Sequence, residues 1–184
     1  MSIIYSKFNN VYLKNMKFLF YYFLISIFLT LTPANSEEKE KNDEHQFNVF
    51  SGNFDFSDHK QSALLYGFQH QNQSLQRDTF LGNISPITGG FITENSAAYV
   101  YTGIEWNIDM GSLEFTPSFA PGLYHKGDGK DLGHVLEFKT EVQLSYSSSE
   151  DTSFGVSYNH VSNASLGDKN PGANSYMFNF LKRF

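Results

Sequence analysis

The sequence has no cysteine, few basic residues and only one long apolar run. Because cysteine is missing, disulfides, a thiolate zinc site and a cysteine nucleophile are all excluded. Lys and Arg number 13 against 19 Asp and Glu, which gives a formal net charge of −6. A nucleic-acid-binding protein needs a basic face to displace counterions from phosphates, so this balance argues against a nucleic-acid partner. The length of 184 residues allows one domain, or two at most.

The one long apolar run, Phe18 to Leu31, predicts an export signal. It has 14 residues, short of the roughly 18 that a spanning helix needs and typical of a signal-peptide core. Lysines precede it, and the small residues Ala34 and Ser36 follow it as at a cleavage site. We therefore predict that residues 1–36 are a signal peptide, with Met16 as an alternative start. An uncleaved N-terminal anchor is the other interpretation.

The rest of the chain divides into a charged tail and one predicted domain. Residues 37–46 (EEKEKNDEHQ) have no apolar side chain to bury and are predicted to be a solvated tail. Residues 47–184 contain no second long apolar run, so no helix is expected to cross a membrane there. Aromatic residues make up 17% of the chain although its mean hydropathy is only −0.36. This combination indicates apolar residues that alternate with polar ones.

The alternation is clearest between Val135 and Ser147. Apolar residues and a threonine occupy the even positions, and charged or polar residues occupy the odd positions from Glu137 to Ser145. Successive residues of a strand point to opposite faces, so this pattern predicts a strand with one apolar and one polar face. Similar strands are predicted at 113–123, 153–159 and 175–183, and weaker ones at 46–56, 62–71, 79–88 and 96–108. The weak first strand has a parity slip near Val49 and Phe50, which predicts a bulge.

Eight such strands fit either a soluble β-sandwich or an outer-membrane barrel. Three features favour the barrel. The strands are near the 9–11 residues of a tilted spanning strand, and the polar face is charged enough to line an interior, with carboxylates opposite Lys139. The last strand, with Tyr176, Phe178 and Phe180, ends at Phe184 and resembles the C-terminal signal of outer-membrane proteins. The prediction is an all-β, eight-stranded antiparallel transmembrane barrel in the outer membrane of a Gram-negative bacterium, recognised by the barrel assembly machinery through its last strand.

Loop lengths predict which end of the barrel faces outward. The connections at 109–112 and 148–151 are short, whereas those at 124–133 and 163–173 are longer. Barrels of this class have short periplasmic turns and long external loops. The two long connections are therefore predicted to lie outside.

A polar constellation is predicted at the outer end of the seventh long strand. His160 and Ser162 continue the apolar parity of the residues before them, so both should face lipid, where polar side chains are costly. They are two positions apart, about 6.6 Å between Cα atoms, and Asn174 shares their face across the hairpin. This grouping fits a serine nucleophile with a base; a rim histidine followed by loop residues is the other interpretation.

Two segments resemble the lipid A 3-O-deacylase (PagL-type) family of outer-membrane acyl hydrolases. They are NHVSNASLGDKNPGANS (159–175) and TPSFAPGLYHKGDGKDLGHVLEF (116–138). The resemblance implies hydrolysis of the ester-linked 3-hydroxyacyl chain of lipid A in lipopolysaccharide. It implies Ser162 as nucleophile, His160 as general base and Asn170, with backbone amides near Ala164, as the oxyanion hole. It implies no metal and no cofactor.

The chain departs from this family at Asn174, where the family has a glutamate as third member of its triad. A carboxylate stabilises the imidazolium, whereas an asparagine offers only a neutral carbonyl. The departure predicts a slow, rewired or inactive enzyme. A non-catalytic barrel that is structural or binds lipopolysaccharide, and an esterase acting on another outer-leaflet lipid, are therefore the alternative functions.

Further predictions concern the neighbourhood of this constellation. His134, at the outer end of the sixth strand, and Lys126 and Lys130, in the loop before it, are candidate substrate contacts, the lysines through lipid A phosphates. The glutamates on the polar parity are predicted to belong to an interior hydrogen-bonded network. A homodimer is a further partner hypothesis.

Overall fold

The computed structural model describes residues 45–58, 60–80 and 82–184. The predicted signal peptide, and residues 37–44 of the predicted tail, lie outside these ranges. Within them the strands are β1 (His45–Phe54), β2 (Ala63–Asn72), β3 (Arg77–Thr79), β4 (Gly82–Thr93), β5 (Ala98–Asp109), β6 (Leu113–His125), β7 (Leu136–Ser147), β8 (Thr152–Ser162) and β9 (Ala173–Arg183), with a 3₁₀ turn at Gln73–Leu75. No helix in these ranges is long and apolar enough to cross a membrane.

Eight of these strands close into an antiparallel barrel. Each long strand pairs with its neighbours along the chain, β1 also pairs with β9, and β2 pairs with β4. The three-residue β3 lies outside the ring, paired only with the start of β4. The predicted eight-stranded barrel is confirmed, and its C-terminal strand is the partner that closes the ring on β1.

The third predicted strand is the one whose position differs. It was expected at 79–88, and β4 lies at Gly82–Thr93. Gly89 and Gly90 lie within β4, where the backbones of β2 and β5 leave no room for a side chain. A Cβ on Gly89 would lie 2.6 Å from the Phe68 carbonyl oxygen, and one on Gly90 would lie 2.7 Å from that of Tyr99. Glycines that resemble a turn in sequence here permit close contact between strands.

The two faces of the strands have opposite polarity over most of the barrel. Exposed apolar side chains cover the outer surface, among them Val142, Leu144, Phe154 and Val156. Inside, the Gln69 amide donates to Glu105 (2.9 Å) and Lys139 pairs with Glu141 (3.4 Å). Glu105 and Glu141 therefore lie in an interior network of the kind that the polar parity predicted.

The interior near one end is aromatic rather than polar. Phe50, Phe54, Phe91 and Tyr99 are all buried there and belong to one apolar cluster. The predicted bulge near Val49 and Phe50 is therefore wrong: β1 keeps unbroken register with β2, with Phe50 opposite Gly67. A Cβ on Gly67 would lie 2.2 Å from the Phe50 ring, so the missing side chain gives this inward phenylalanine its space.

The aromatic end of the interior lies toward the longer connections. We call it the loop end; its connections are residues 55–62, 94–97, 126–135 and 163–172. The opposite end, here the turn end, has both chain ends of the barrel, the turns 110–112 and 148–151 and the connection 73–81. The length rule holds for the four connections predicted from sequence. It fails for 94–97, which is short, and for 73–81, which is long.

Candidate active site

His160 and Ser162 lie on the outer surface of β8 where the strand reaches the loop end. Phe154, Val156 and Tyr158 precede them on the same exposed face, whereas Asn159 and its inward-facing neighbours are buried. Both His160 and Ser162 are half-buried. The strand thus presents a basic ring and a hydroxyl together at an otherwise apolar surface.

Asn174 is the immediate partner of His160. The two residues are in register between β8 and β9, and His160 Nδ1 lies 2.8 Å from Asn174 Oδ1. Because a carbonyl oxygen only accepts, this contact requires a proton on Nδ1. The other ring nitrogen, Nε2, then carries the lone pair, which is the tautomer that a base for Ser162 needs.

Two further groups fix the amide of Asn174. The Tyr158 hydroxyl donates to Asn174 Oδ1 at 2.8 Å, and Asn174 Nδ2 donates to Ser57 Oγ at 3.3 Å. The backbone N–H of Phe56 also donates to the Asn174 carbonyl at 3.0 Å. The connection 55–62 therefore reaches over to β9 and completes the surroundings of Asn174. Sequence patterns gave no signal for this approach, because it depends on β1 pairing with β9.

The loop after Ser162 has an unusual backbone. Ala164 and Ser165 have φ values of 51° and 63°, a left-handed conformation that costs a non-glycine residue roughly 1–2 kcal/mol. Asn170 Oδ1 accepts from the backbone N–H of Asn163 at 3.0 Å. With its oxygen occupied in this way, Asn170 has Nδ2 as the group that can donate to an anion near Ser162.

Asn163, which follows Ser162, joins the two long loops. It is fully buried, and its Nδ2 donates at 2.8 Å to the carbonyl oxygens of both Leu132 and Lys169. An exposed ion pair between Lys169 and Asp131 (3.0 Å) bridges the same loops. The hydrogen bond from Lys169 holds the pKa of Asp131 below its usual value. These contacts hold the loop that carries Asn170 against its neighbour.

Gly172 packs directly against the imidazole. It has a φ of 61°, and a Cβ placed on it would lie 2.7 Å from Cε1 of His160. Any side chain would therefore displace the ring as well as strain the backbone. Sequence analysis missed this residue, since a glycine in a polar loop is first interpreted as part of a turn.

The three predicted substrate contacts lie in different environments. Lys130 Nζ is 2.5 Å from the buried carboxylate of Asp55, and its side chain is only 13% exposed. Lys130 is thus an internal ion-pair partner of Asp55 and not, as predicted, an exposed cation that faces substrate. The Lys126 side chain is 57% exposed. His134 is exposed, with Nδ1 accepting from the backbone N–H of Leu136 at 3.0 Å.

Metal binding finds no geometric support in the part of the chain that the structure describes. Among those residues, no three His, Asp or Glu side chains are grouped as metal ligands. The polar groups around Ser162 are a histidine, amides and hydroxyls. Such a set can do proton transfer and anion stabilisation with the chain's own groups.

Residues 62–183 match the sequence model of a family described as lipid A 3-O-deacylase (PagL). The chain belongs to the PagL family. The matched range includes every site residue predicted from sequence, but it leaves out β1 and most of the connection that contacts Asn174. No curated protein matches the chain significantly.

Solved structures support the fold of this family member. The crystal structure of the outer membrane enzyme PagL is similar with a TM-score of 0.59 and 18% identity, over 74% of this chain and 98% of that one. The N-terminal β-barrel domain of Pseudomonas aeruginosa OprF has a TM-score of 0.55 and 9% identity, over 78% of this chain and 98% of that one. A de novo designed transmembrane β-barrel matches equally well, with a TM-score of 0.55 and 9% identity over 80% of this chain and 100% of the design. At these identities the likeness concerns the fold alone.

Proposed function

We propose that this PagL-family barrel is a lipid A 3-O-deacylase, a serine esterase that removes the ester-linked 3-hydroxyacyl chain from lipid A. The observation that carries the proposal is the 2.8 Å contact between His160 Nδ1 and Asn174 Oδ1, with Ser162 two positions along the same outward face. A hydrogen-bonded base beside a serine is the arrangement of nucleophilic ester hydrolysis. Its place on the apolar outer face suits a substrate that is itself a membrane lipid.

In the proposed reaction, His160 Nε2 takes the proton of the Ser162 hydroxyl as Oγ attacks the ester carbonyl. The resulting oxyanion accepts hydrogen bonds from Asn170 Nδ2 and from backbone amides at Ala164. The bond between the acyl carbon and the sugar oxygen then breaks, and the imidazolium gives its proton to the leaving sugar alkoxide, which leaves the acyl chain on Ser162 Oγ. Water, activated by His160, hydrolyses the acyl-serine in a second cycle of the same steps.

Aromatic side chains on both sides of His160 suit an acyl chain. Phe119 and Phe138 stack on one side, with ring centroids 6.0 Å apart, and Phe138 is in register with Ser162. On the other side the Tyr176 ring stacks on Phe56 with centroids 4.3 Å apart. We assign the acyl chain to this outer surface, with the loop end in the outer leaflet of a Gram-negative outer membrane. In that orientation the exposed side chain of Lys126 is a cation available to a lipid A phosphate.

Asn174 decides between this enzyme and its alternative. A neutral amide orients His160 but supplies no charge to stabilise the imidazolium. In a serine protease the change from acid to amide at this position costs about 10⁴ in turnover. The same residue therefore favours, as the second candidate, a PagL-family barrel that binds lipopolysaccharide without hydrolysing it.

Mass spectrometry of lipid A tests the proposal. The protein would be expressed in a Gram-negative host that lacks a deacylase, and barrel insertion would be checked by heat-modifiable gel mobility. We expect lipid A to lose one 3-hydroxyacyl mass, Ser162→Ala to abolish this loss, and Asn174→Glu to increase it. Ser112→Ala, in an exposed turn at the opposite end, is the matched control and should behave as wild type.

Two outcomes would contradict the deacylase. If inserted wild-type protein leaves lipid A unchanged and only Asn174→Glu is active, the native barrel is non-catalytic although its site is otherwise intact. If both are silent, the deacylase proposal is wrong for this chain.

A further inference from the structure

The side-chain amide of Asn174 has nearly the same shape when Oδ1 and Nδ2 exchange places. Only one of these two orientations suits catalysis. With Oδ1 toward His160, as in the structure, Nδ1 is protonated and Nε2 is the base. With the amide reversed, Nδ2 would donate to Nδ1, and the proton would move to Nε2. That tautomer cannot accept the proton of Ser162. A glutamate has no such ambiguity, because both of its oxygens are acceptors.

A hydrogen-bonded chain leads from Asn174 to a buried carboxylate. Asn174 Nδ2 donates to Ser57 Oγ at 3.3 Å, and the Ser57 hydroxyl donates to Asp55 Oδ1 at 3.1 Å. Asp55 is fully buried and ion-paired with Lys130 Nζ at 2.5 Å. The backbone N–H of Asn174 also approaches Asp55 Oδ1, at 3.4 Å. The loop residue Asp55 thus contacts Asn174, at the start of β9, both directly through the backbone N–H and indirectly through Ser57.

The direction of every bond in this chain follows from Asp55. An ionised carboxylate only accepts, so the Ser57 hydroxyl must point its single proton at Asp55. Ser57 Oγ can then only accept from Asn174, which requires Nδ2 on that side and Oδ1 on the side of His160. Tyr158 does not select an orientation by itself, because its hydroxyl can either donate or accept.

We propose that Asp55, acting through Ser57, is a positioning residue that fixes the amide of Asn174 and thereby the tautomer of His160. The proposal rests on the proposed function and explains how an asparagine serves where the family has a glutamate. Asp55 itself adopts a φ of 51°, a conformation that asparagine and aspartate tolerate better than other residues. Both Asp55 and Ser57 lie before residue 62, outside the range that matches the family.

The direct test is the tautomer of His160, measured from imidazole ¹⁵N chemical shifts of the full barrel in detergent micelles. The chain has six histidines, and His160→Gln assigns the signal. We expect protonated Nδ1 in the wild type. Asp55→Asn, whose amide can itself donate to Ser57, should shift the population toward protonated Nε2. Ser57→Ala should do the same by removing the acceptor, and it serves as the test if Asp55→Asn does not insert.

Turnover of lipopolysaccharide gives the second measurement. We expect Asp55→Asn and Ser57→Ala to lower kcat about tenfold, the population shift that one net hydrogen bond supplies, with little change in KM. In the Asn174→Glu background the same substitutions should have no effect, since a carboxylate beside His160 needs no orientation. Asp58→Asn is the matched control: Asp58 also faces Lys130, at 4.0 Å, and should leave tautomer and kcat unchanged.

The two measurements separate this proposal from the proposed function. A wild type without deacylase activity would contradict the enzyme, while the tautomer would still report on Asp55. Protonated Nε2 in the wild type would overturn the positioning role. So would an unchanged tautomer in both Asp55→Asn and Ser57→Ala.

Discussion

At the scale of single residues, His160 is positioned by a hydrogen bond and also by the absence of a side chain at Gly172. The imidazole of His160 is held by Asn174 on one side, and on another it lies where Gly172 has no side chain. Neither partner bears a charge. The position of the ring therefore depends on shape and hydrogen bonding, which small displacements disrupt.

Gly172→Ala should reduce deacylase activity by moving His160. The new methyl would lie 2.7 Å from Cε1, so the ring must shift, and misplacement of about 1 Å can cost roughly 10²-fold in rate. We expect kcat to fall by about this factor, measured as release of 3-hydroxy fatty acid from lipopolysaccharide in micelles.

Gly111→Ala separates the contact from the backbone strain. Gly111 also has positive φ, 85°, but a Cβ there meets nothing within 4 Å. Gly111→Ala should therefore keep full activity, although alanine at this positive φ strains the backbone as alanine at position 172 does. Equal activity losses in the two variants would mean that the contact with His160 is unimportant.

At the scale of elements, the two long loops are joined by the side chain that follows Ser162. Asn163 bonds the carbonyl oxygens of Leu132 and Lys169 from a fully buried position. The loop 163–172 carries Asn170 and the left-handed Ala164, so its geometry requires a fixed support. Buried amides that bond two carbonyls are a common support for such loops, because unpaired carbonyls are costly.

Asn163→Ala should loosen both loops without opening the barrel. Removing the amide leaves two carbonyl groups without their partner, at a cost of about 1–3 kcal/mol each if they stay buried. The cheaper response is local opening, so we expect faster hydrogen exchange at Leu166, whose N–H bonds the Asn163 carbonyl at 3.0 Å. Exchange in β4 and β5 should not change.

Lys169→Met is the control for the hydrogen bonds of Asn163. It removes the bridge to Asp131 between the same two loops, but both side chains are about half exposed. Exposed ion pairs contribute little and are screened by salt, so exchange should stay close to wild type. If Lys169→Met loosened the loops as much as Asn163→Ala, the buried amide would not be the main tie.

At the scale of the whole molecule, the period-two pattern predicted the fold and the outward placement of the site. Parity alone put His160, Ser162 and Asn174 on one surface, because facing is a property of the strand itself. It could not predict Asp55 and Ser57 beside Asn174, since their approach requires the ring to close between β1 and β9. The pattern also wrongly predicted a bulge at Phe50, because the interior is aromatic there and Gly67 leaves space for an inward ring.

Closure also brings one charged residue into contact with distant walls of the barrel. Lys139 on β7 is 1% exposed; its Nζ lies 3.4 Å from Gln69 Oε1 on β2 and 4.2 Å from the ring centroid of Tyr101 on β5. It also pairs with Glu141 at 3.4 Å. Its ammonium therefore holds strands together that are not neighbours in the sheet.

Lys139→Met should destabilise the whole barrel rather than one strand. The substitution keeps the volume of the side chain but leaves Glu141 without its cation, and breaking a buried pair typically costs about 3–5 kcal/mol. We expect a loss of this size in urea unfolding in micelles, followed by fluorescence of Trp106, the single tryptophan. Lys182→Met, which removes a pair with Asp151 at the turn end where both side chains are a third or more exposed, should cost under about 1 kcal/mol.

Lys139→Met combined with Glu141→Leu should recover part of the loss, because the unpaired carboxylate, and not the missing ammonium, is the main source of the destabilisation. A double variant as unstable as Lys139→Met alone would assign the loss instead to the contacts of Lys139 with Gln69 and Tyr101.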